Sequence, residues 1–371
     1  MSRARGHKFW FLLLGLALLF SVYLSLGLGS ADVGLPEATR TLRRAAGELL
    51  FGAPSGDGVP SGESVPSGDG VPFGDSVSPG DGPTRSIVLD IRLPRAILAL
   101  IVGALLALSG VIMQAFFRNV MAEPYLVGVS SGAALGAVLA MLLGWSFRLG
   151  WFSTVPLSAF VFALGVVFLV YLINRRRSGL HTGGLLLSGI AIASAISAIV
   201  ALLLITSERA VQQVLFWLLG SLAAARWEHV GVVAPYAVAG LVITLLLARD
   251  LDLLLWGDVT GAALGVSVER TRTLLLAAAS LMTAAAVAVA GVIGFVGLMV
   301  PHIARFLVGS GHRRLIPAAI LLGGLLLLWA DVLARTLRAP AELPLGAITA
   351  IVGAPFLIYL CSLSGRKRWP S

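Results

Sequence analysis

The chain is 371 residues long, 58% hydrophobic and only 12% charged, with a formal net charge of +9. A soluble globule of that composition has too little polar surface to cover itself, so an ordinary water-soluble domain is excluded. The positive charge sits in short segments between long apolar runs, which points to membrane topology and away from a nucleic-acid partner.

A spanning helix needs about 20 mainly apolar residues. Ten candidate stretches follow in chain order: Phe9–Leu28, Arg95–Phe116, Tyr125–Gly144, Thr154–Asn174, Gly183–Ile205, Val230–Ala248, Thr273–Val292, Gly294–Val308, Ile316–Leu333 and Gly346–Leu363. The first follows Arg3, Arg5 and Lys8. Its apolar run exceeds the core of about 7–15 residues in a secretory signal, so it reads as a retained span. With the N-terminus inside, the inner segments hold sixteen of the twenty-seven Lys and Arg residues. Six of the remaining eleven lie between Arg40 and Arg95. The positive-inside rule then predicts two cytoplasmic termini, with 364–371 a basic tail.

Residues 29–90 are expected to form an external loop. Within it, 52–83 is a degenerate six-residue repeat, with units such as Ser55-Gly-Asp-Gly-Val-Pro60 and Ser61-Gly-Glu-Ser-Val-Pro66. Gly, Pro, Ser and one acid per unit cannot bury enough apolar surface to offset chain entropy, so disorder is predicted. The segment is either an expanded linker or an acidic tether for a partner or divalent ions. Gly-Asp-Gly alone is weak evidence for the latter, since calcium takes about six to eight oxygens.

Small residues recur at packing intervals: Gly103 and Gly110, then Gly128, Gly132 and Gly136, then Gly291, Gly294 and Gly297. They predict close helix approach in lipid and do not mark a pore. Between the sixth and seventh spans, Arg249–Arg272 is too polar to cross. There Asp258 could cap a short helix running to Leu264 and stopped at Gly265. Such a helix is either an ordinary surface element or a docking site for a cytoplasmic partner.

Ionisable groups inside a membrane are functional candidates because they are costly there. Asp331 and Arg335, four apart, can pair on one helix face. His302 beside Pro301 reads as a packing residue before a ligand. Gln114 and Asn119 could line a path or bond to neighbouring helices. Cys361 is the single cysteine, and no Cys/His cluster has zinc spacing. No phosphate-binding loop, His-Glu-x-x-His or Gly-x-Ser-x-Gly motif occurs, so no catalytic residue or metal is expected.

The residues then become specific. Arg92-Leu-Pro-Arg95, Ser109-Gly-Val-Ile-Met-Gln114, Arg118-Asn119, Ala122-Glu-Pro124 and Gly128-Val-Ser-Ser-Gly-Ala-Ala-Leu-Gly136 together resemble the permease subunits of iron-chelate and cobalamin ABC importers, the FecCD or type II family. A second block resembles the same family independently: Gly291-Val-Ile-Gly-Phe-Val-Gly-Leu-Met-Val-Pro-His-Ile-Ala-Arg305, Ala330-Asp-Val-Leu-Ala-Arg335 and Glu342-Leu-Pro-Leu-Gly346. The similarity runs from about Ile91 to Leu363 in the family's order and spacing.

The resemblance implies an all-α polytopic protein of the inner membrane with the BtuC-like permease fold and about ten transmembrane helices, nine of them in a core over 91–363. It implies a homodimer, or a pair with a sister permease, with the substrate path at the interface. Two cytoplasmic ABC ATPase subunits and an external substrate-binding protein complete the expected assembly. ATP and Mg are used by the ATPases, and this chain is expected to bind no cofactor. Trp256, Gly257, Asp258, Ala262, Ala263, Leu264 and Gly265 match the family's coupling helix. Arg92, Arg95 and Arg335 match the basic residues that receive carboxylates of the binding protein, although for Arg92 and Arg95 interfacial anchoring is the simpler reading. Asn119 and Met121, with Thr182 and Gly183, match the inner gate. The usual Asn-Pro-Leu-Ala is here Asn119-Val120-Met121-Ala122, which restores an N–H and loosens the turn. The cargo implied is a metal chelate, iron–siderophore or haem first and cobalamin also accommodated. An ion-coupled secondary transporter is the alternative, but it calls for acidic residues at mid-membrane that the spans lack.

Overall fold

A computed structural model describes residues 2–29, 34–51, 81–149, 152–175, 182–205 and 211–364. Most of the repeat, 52–80, and the tail, 365–371, lie outside the described residues. The first half comprises α1 (Ser2–Gly27), α2 (Leu35–Phe51), α3 (Asp81–Ser86), α4 (Leu93–Phe116), α5 (Val129–Leu142), α6 (Thr154–Arg175), α7 (Thr182–Ile205) and α8 (Val211–Leu218). The second half comprises α9 (Trp227–Leu246), α10 (Ala248–Leu254), α11 (Asp258–Ala263), α12 (Val268–Ala290), α13 (Val296–Val308), α14 (His312–Thr336) and α15 (Leu345–Ser364). The one strand pair among the described residues is a small antiparallel hairpin, Arg148–Leu149 with Phe152–Ser153, joining α5 to α6.

Each of the ten expected spans lies on one of these helices. Seven described helices have the length and apolarity to cross a membrane, and α5, α13 and α15 are shorter apolar helices. The chain is an all-α, multi-pass membrane protein. Large apolar side chains such as Leu16, Phe168, Leu187, Leu202 and Leu246 stand exposed on α1, α6, α7 and α9. In lipid that arrangement is stable, because hydrocarbon solvates them and association rests on packing instead.

The centre of the bundle is α4, buried along most of its length from Pro94 to Phe116 and packed between α14, α12, α13 and α9. Two glycines allow the approach. A β-carbon on Gly103 would overlap the Gly323 carbonyl of α14, and one on Gly110 would overlap the Gly297 carbonyl of α13. The glycine spacing therefore marks helix contacts, as expected.

The flanks of the expected 29–90 loop are helical. In α2, Leu35, Ala38, Leu42 and Ala45 recur at three- and four-residue intervals, and Ala38 packs with Leu26 and Val88. Its arginines masked this amphipathic pattern. On the other flank, α3 runs through a π-helical turn, Ile87–Arg92, into α4, so the second span is one rod from Pro83 to Phe116. Across the repeat, Arg85 grips Glu48 with two hydrogen bonds of 3.0 and 2.6 Å, joining α3 to α2.

Gly110→Val should therefore lower stability by about 1–3 kcal/mol, the usual cost of overpacking. Gly15→Val, with nothing within 4 Å of the added carbon, should leave it unchanged. Thermal unfolding in detergent distinguishes the two.

Candidate functional site

One face of the bundle is closed by an ionic clasp. Arg95 on α4 donates from Nε to both Asp331 carboxylate oxygens of α14, at 3.0 and 3.1 Å. Its two Nη groups take Glu342 at 2.7 and 2.9 Å. Arg335 lies one turn from Asp331, with Nε 3.6 Å from its carboxylate, and donates to the Ser25 carbonyl at 2.7 Å. Arg92 donates to the Leu26 carbonyl at 2.6 Å. Ser25 and Leu26 belong to the last turn of α1, whose carbonyls lack intrahelical partners and carry the negative end of the helix dipole. Three guanidiniums, two carboxylates and one helix end thus hold α1, α4 and α14 together. Arg92, Arg95 and Arg335 are 4%, 6% and 5% exposed. As they stand, these side chains are turned inward onto partners of their own chain. The acid most open to solvent is Glu342, at 31%.

At the other end of the bundle lies α11. It starts from Gly257, whose φ of 104° is open to glycine, and is followed by Gly265 at φ 90°. Asp258 is the first helical residue and makes no capping hydrogen bond, so the expected side-chain cap is corrected. Its carboxylate turns instead to cations: Arg272 on α12 at 2.9 Å and Arg118 at 3.7 Å. Trp256 is 78% and Val259 85% exposed, with Leu255, Leu264, Ala262 and Ala263 exposed beside them. A six-residue helix thus carries a projecting apolar surface above a charged base. Nearby, Asp252 accepts from the His312 backbone N–H at 3.1 Å and stands 2.6 Å from its Nδ1, tying α10 to the start of α14.

Between these faces runs the 117–128 loop. The end of α4 is a Schellman turn: the Arg118 N–H donates to Ala115 and the Asn119 N–H to Gln114. Arg118 occupies its left-handed position at φ 49°, where a β-carbon costs about 1–2 kcal/mol relative to glycine. Asn119 Oδ1 then accepts from the Met121 N–H at 2.9 Å. This Asx turn shapes the loop around Val120. Further on, Glu123 accepts from the Phe295 N–H at 2.9 Å. The Tyr125 hydroxyl donates to the Ile293 carbonyl at 2.8 Å and accepts from its N–H at 3.2 Å. These two side chains pair three groups of the unwound backbone between α12 and α13, and inside a membrane-spanning bundle such groups must find partners within the protein. Thr182 and Gly183 open α7, which packs against the same loop through Gly189 and Leu126. Among the described residues no hydrogen bond joins Thr182 or Gly183 to Asn119 or Met121.

Of the other candidates, His302 packs edge-on against Phe356 at 6.0 Å. Gln114 bridges helices by donating to the Leu298 carbonyl at 3.1 Å. Sequence reasoning missed the roles of Glu123, Tyr125, Arg118 and Arg272, although Arg118 and Glu123 stand inside quoted motifs.

A model of the FecCD transport family matches residues 17–362. The cobalamin import system permease protein BtuC of Halobacterium salinarum is 47% identical over 274 residues, which cover 74% of this chain and 73% of that protein. The hemin transport system permease protein HmuU of Yersinia pestis is 43% identical over 275 residues, covering 73% and 82%. A solved inward-facing conformation of a metal-chelate type ABC transporter aligns with a TM-score of 0.75 at 32% identity, over 95% of this chain and 98% of that one.

Two measurements probe the charged contacts. Arg95→Ala leaves Asp331 buried without its principal partner and should cost about 3–5 kcal/mol in detergent unfolding, with Glu342→Gln costing less. Burial alone would push the Asp252 carboxyl up, but hydrogen bonds from the His312 side chain and backbone outweigh it and hold the carboxyl below its usual value. A lowered carboxylate adds stability above its unfolded pKa and loses it as pH falls through the folded one. The α10–α14 tie should therefore weaken as pH drops below about 4, and Asp252→Asn should abolish that part of the acid sensitivity.

Proposed function

The chain belongs to the FecCD transport family, and on that premise we propose that it is the membrane permease of a binding-protein-dependent ABC importer for a metal tetrapyrrole. The observation that carries this reading is the exposed apolar surface of Val259 on α11 and of Trp256 and Leu264 in the turns that flank it. A tryptophan in the turn that leads into a short helix with a charged base is suited to a groove on a soluble partner, since aromatic anchors dominate such contacts. That partner is a pair of ABC ATPases, which use ATP and Mg and hydrolyse the nucleotide; the permease binds neither and catalyses nothing. The α11 face is cytoplasmic, as are both termini, and the membrane is the inner one.

Two copies of the chain, or this chain and a sister permease, enclose the path. The binding protein docks on the clasp face. Release of Glu342 would free the Arg95 fork for a carboxylate of the incoming lobe, a bidentate pairing that gives orientation as well as attraction. Asn119 and Met121, with Thr182 and Gly183, form the inner gate. ATP binding moves α11, and the two access states differ in their contacts to both partners, which coupled transport requires. We prefer a tetrapyrrole to an iron–siderophore because the two relatives above are named for cobalamin and hemin.

In cells carrying the cognate ATPase and binding protein, Trp256→Asp with Val259→Asp should abolish cobalamin or haem uptake while membrane insertion stays normal. Uptake at wild-type levels would remove α11 from the mechanism. Deleting 52–80, which leaves the Arg85–Glu48 contact in place, should keep uptake within a few-fold of wild type, and loss of transport by an inserted protein would assign the repeat a working role.

A further inference from the structure

The gate loop and α11 meet at one cation. Arg118 Nη2 lies 3.7 Å from Asp258 Oδ1, and a β-carbon at Gly257 would stand 3.4 Å from Arg118 Nη1. The guanidinium therefore lies over the turn that opens α11. Arg272 holds the same Asp258 oxygen at 2.9 Å and stacks over the Phe116 ring, 5.6 Å from its centroid, in the last turn of α4. Asp258 is thus shared by Arg118, just past the end of α4, and by Arg272 of α12, which packs on the last turn of α4.

The backbone makes Arg118 the unexpected member. It fills the one position of the Schellman turn where glycine is relaxed and any side chain is strained. Strain of this kind persists where surrounding structure imposes it, and it clusters at working sites. Here the strained residue is the one whose side chain reaches α11 and whose backbone leads directly into Asn119 and Met121. Those two residues are bonded to each other, and the far end of the loop is pinned by Glu123 and Tyr125 to residues 293–295. The loop is thus held at 293–295 by one end and by the Schellman turn of α4 at the other, where Arg118 carries its charge to α11.

Building on the permease reading, we propose that Arg118 is a positioning residue that transmits the movement of α11 to the inner gate. When the ATPases displace α11, Asp258 draws the Arg118 guanidinium with it, and the left-handed turn swings Asn119 and Met121 as a unit about the Glu123 anchor.

The test uses the complete transporter in proteoliposomes, with Met121→Cys as a labelling reporter in a Cys361→Ser background. Arg118→Gly suits the turn better than arginine, so the fold should survive with an equal or higher melting temperature. The ATPases should remain bound and hydrolyse ATP, while cargo moved per ATP falls at least about five-fold, the lower end of coupling between linked sites. The reporter's labelling rate should cease to depend on nucleotide, and Arg118→Lys should recover most of the cargo per ATP. Wild-type cargo per ATP together with nucleotide-dependent labelling in Arg118→Gly would overturn the proposal. If instead the Trp256→Asp, Val259→Asp variant transports normally, α11 is not the driven element, and the coupling reading on which this proposal rests fails.

Discussion

No backbone amide can go unpaired in hydrocarbon, and the architecture follows from that rule. Helices satisfy it by themselves, which is why ten apolar helices account for most of the chain. Where the chain departs from helix inside the bundle, named side chains complete the pairing. The segment between α12 and α13 depends on Glu123 and Tyr125 from a loop some 170 residues earlier. That loop also carries Asn119 and Met121. The requirement that stabilises the break therefore also ties these two residues to the body of the protein.

The two ends of the bundle handle charge in opposite ways. At the clasp, Arg95 pairs with two carboxylates, Asp331 buried and Glu342 31% exposed. At α11, Asp258 shares two arginines and stays about 40% exposed, with contacts of 2.9 and 3.7 Å. The Arg118 pair, with both side chains about 40% exposed, contributes little stability, on the order of 0–1 kcal/mol, while the closer Arg272 contact comes from a buried guanidinium.

Much of this was legible in the sequence because membranes impose long, simple signals. Span positions follow from apolar length, and the glycine intervals at Gly103 and Gly110 correctly announced helix contacts. The Asp331–Arg335 pair was visible because its members are four residues apart. Its extension to Arg95 and Glu342 was not, since those residues are 236 and 247 positions from their partners. The amphipathic α2 was hidden by Arg40, Arg43 and Arg44, which suggest a loop until the Leu35, Ala38 and Leu42 spacing is counted. Asp258 was expected to cap its own helix, a local role. It turned instead to cations brought near by the fold, as no local pattern could indicate. The left-handed Arg118 was similarly unreadable, because its motif gives the residue type and not its φ.

The account rests on transport being driven from the α11 side by separate nucleotide-hydrolysing subunits. The most direct measurement is chelate accumulation in proteoliposomes containing the permease, with its ATPases and loaded binding protein added or withheld. The account predicts accumulation only when ATPases, ATP and binding protein are all present, and none under a proton or sodium gradient alone. Gradient-driven accumulation by the permease without its ATPases would contradict it.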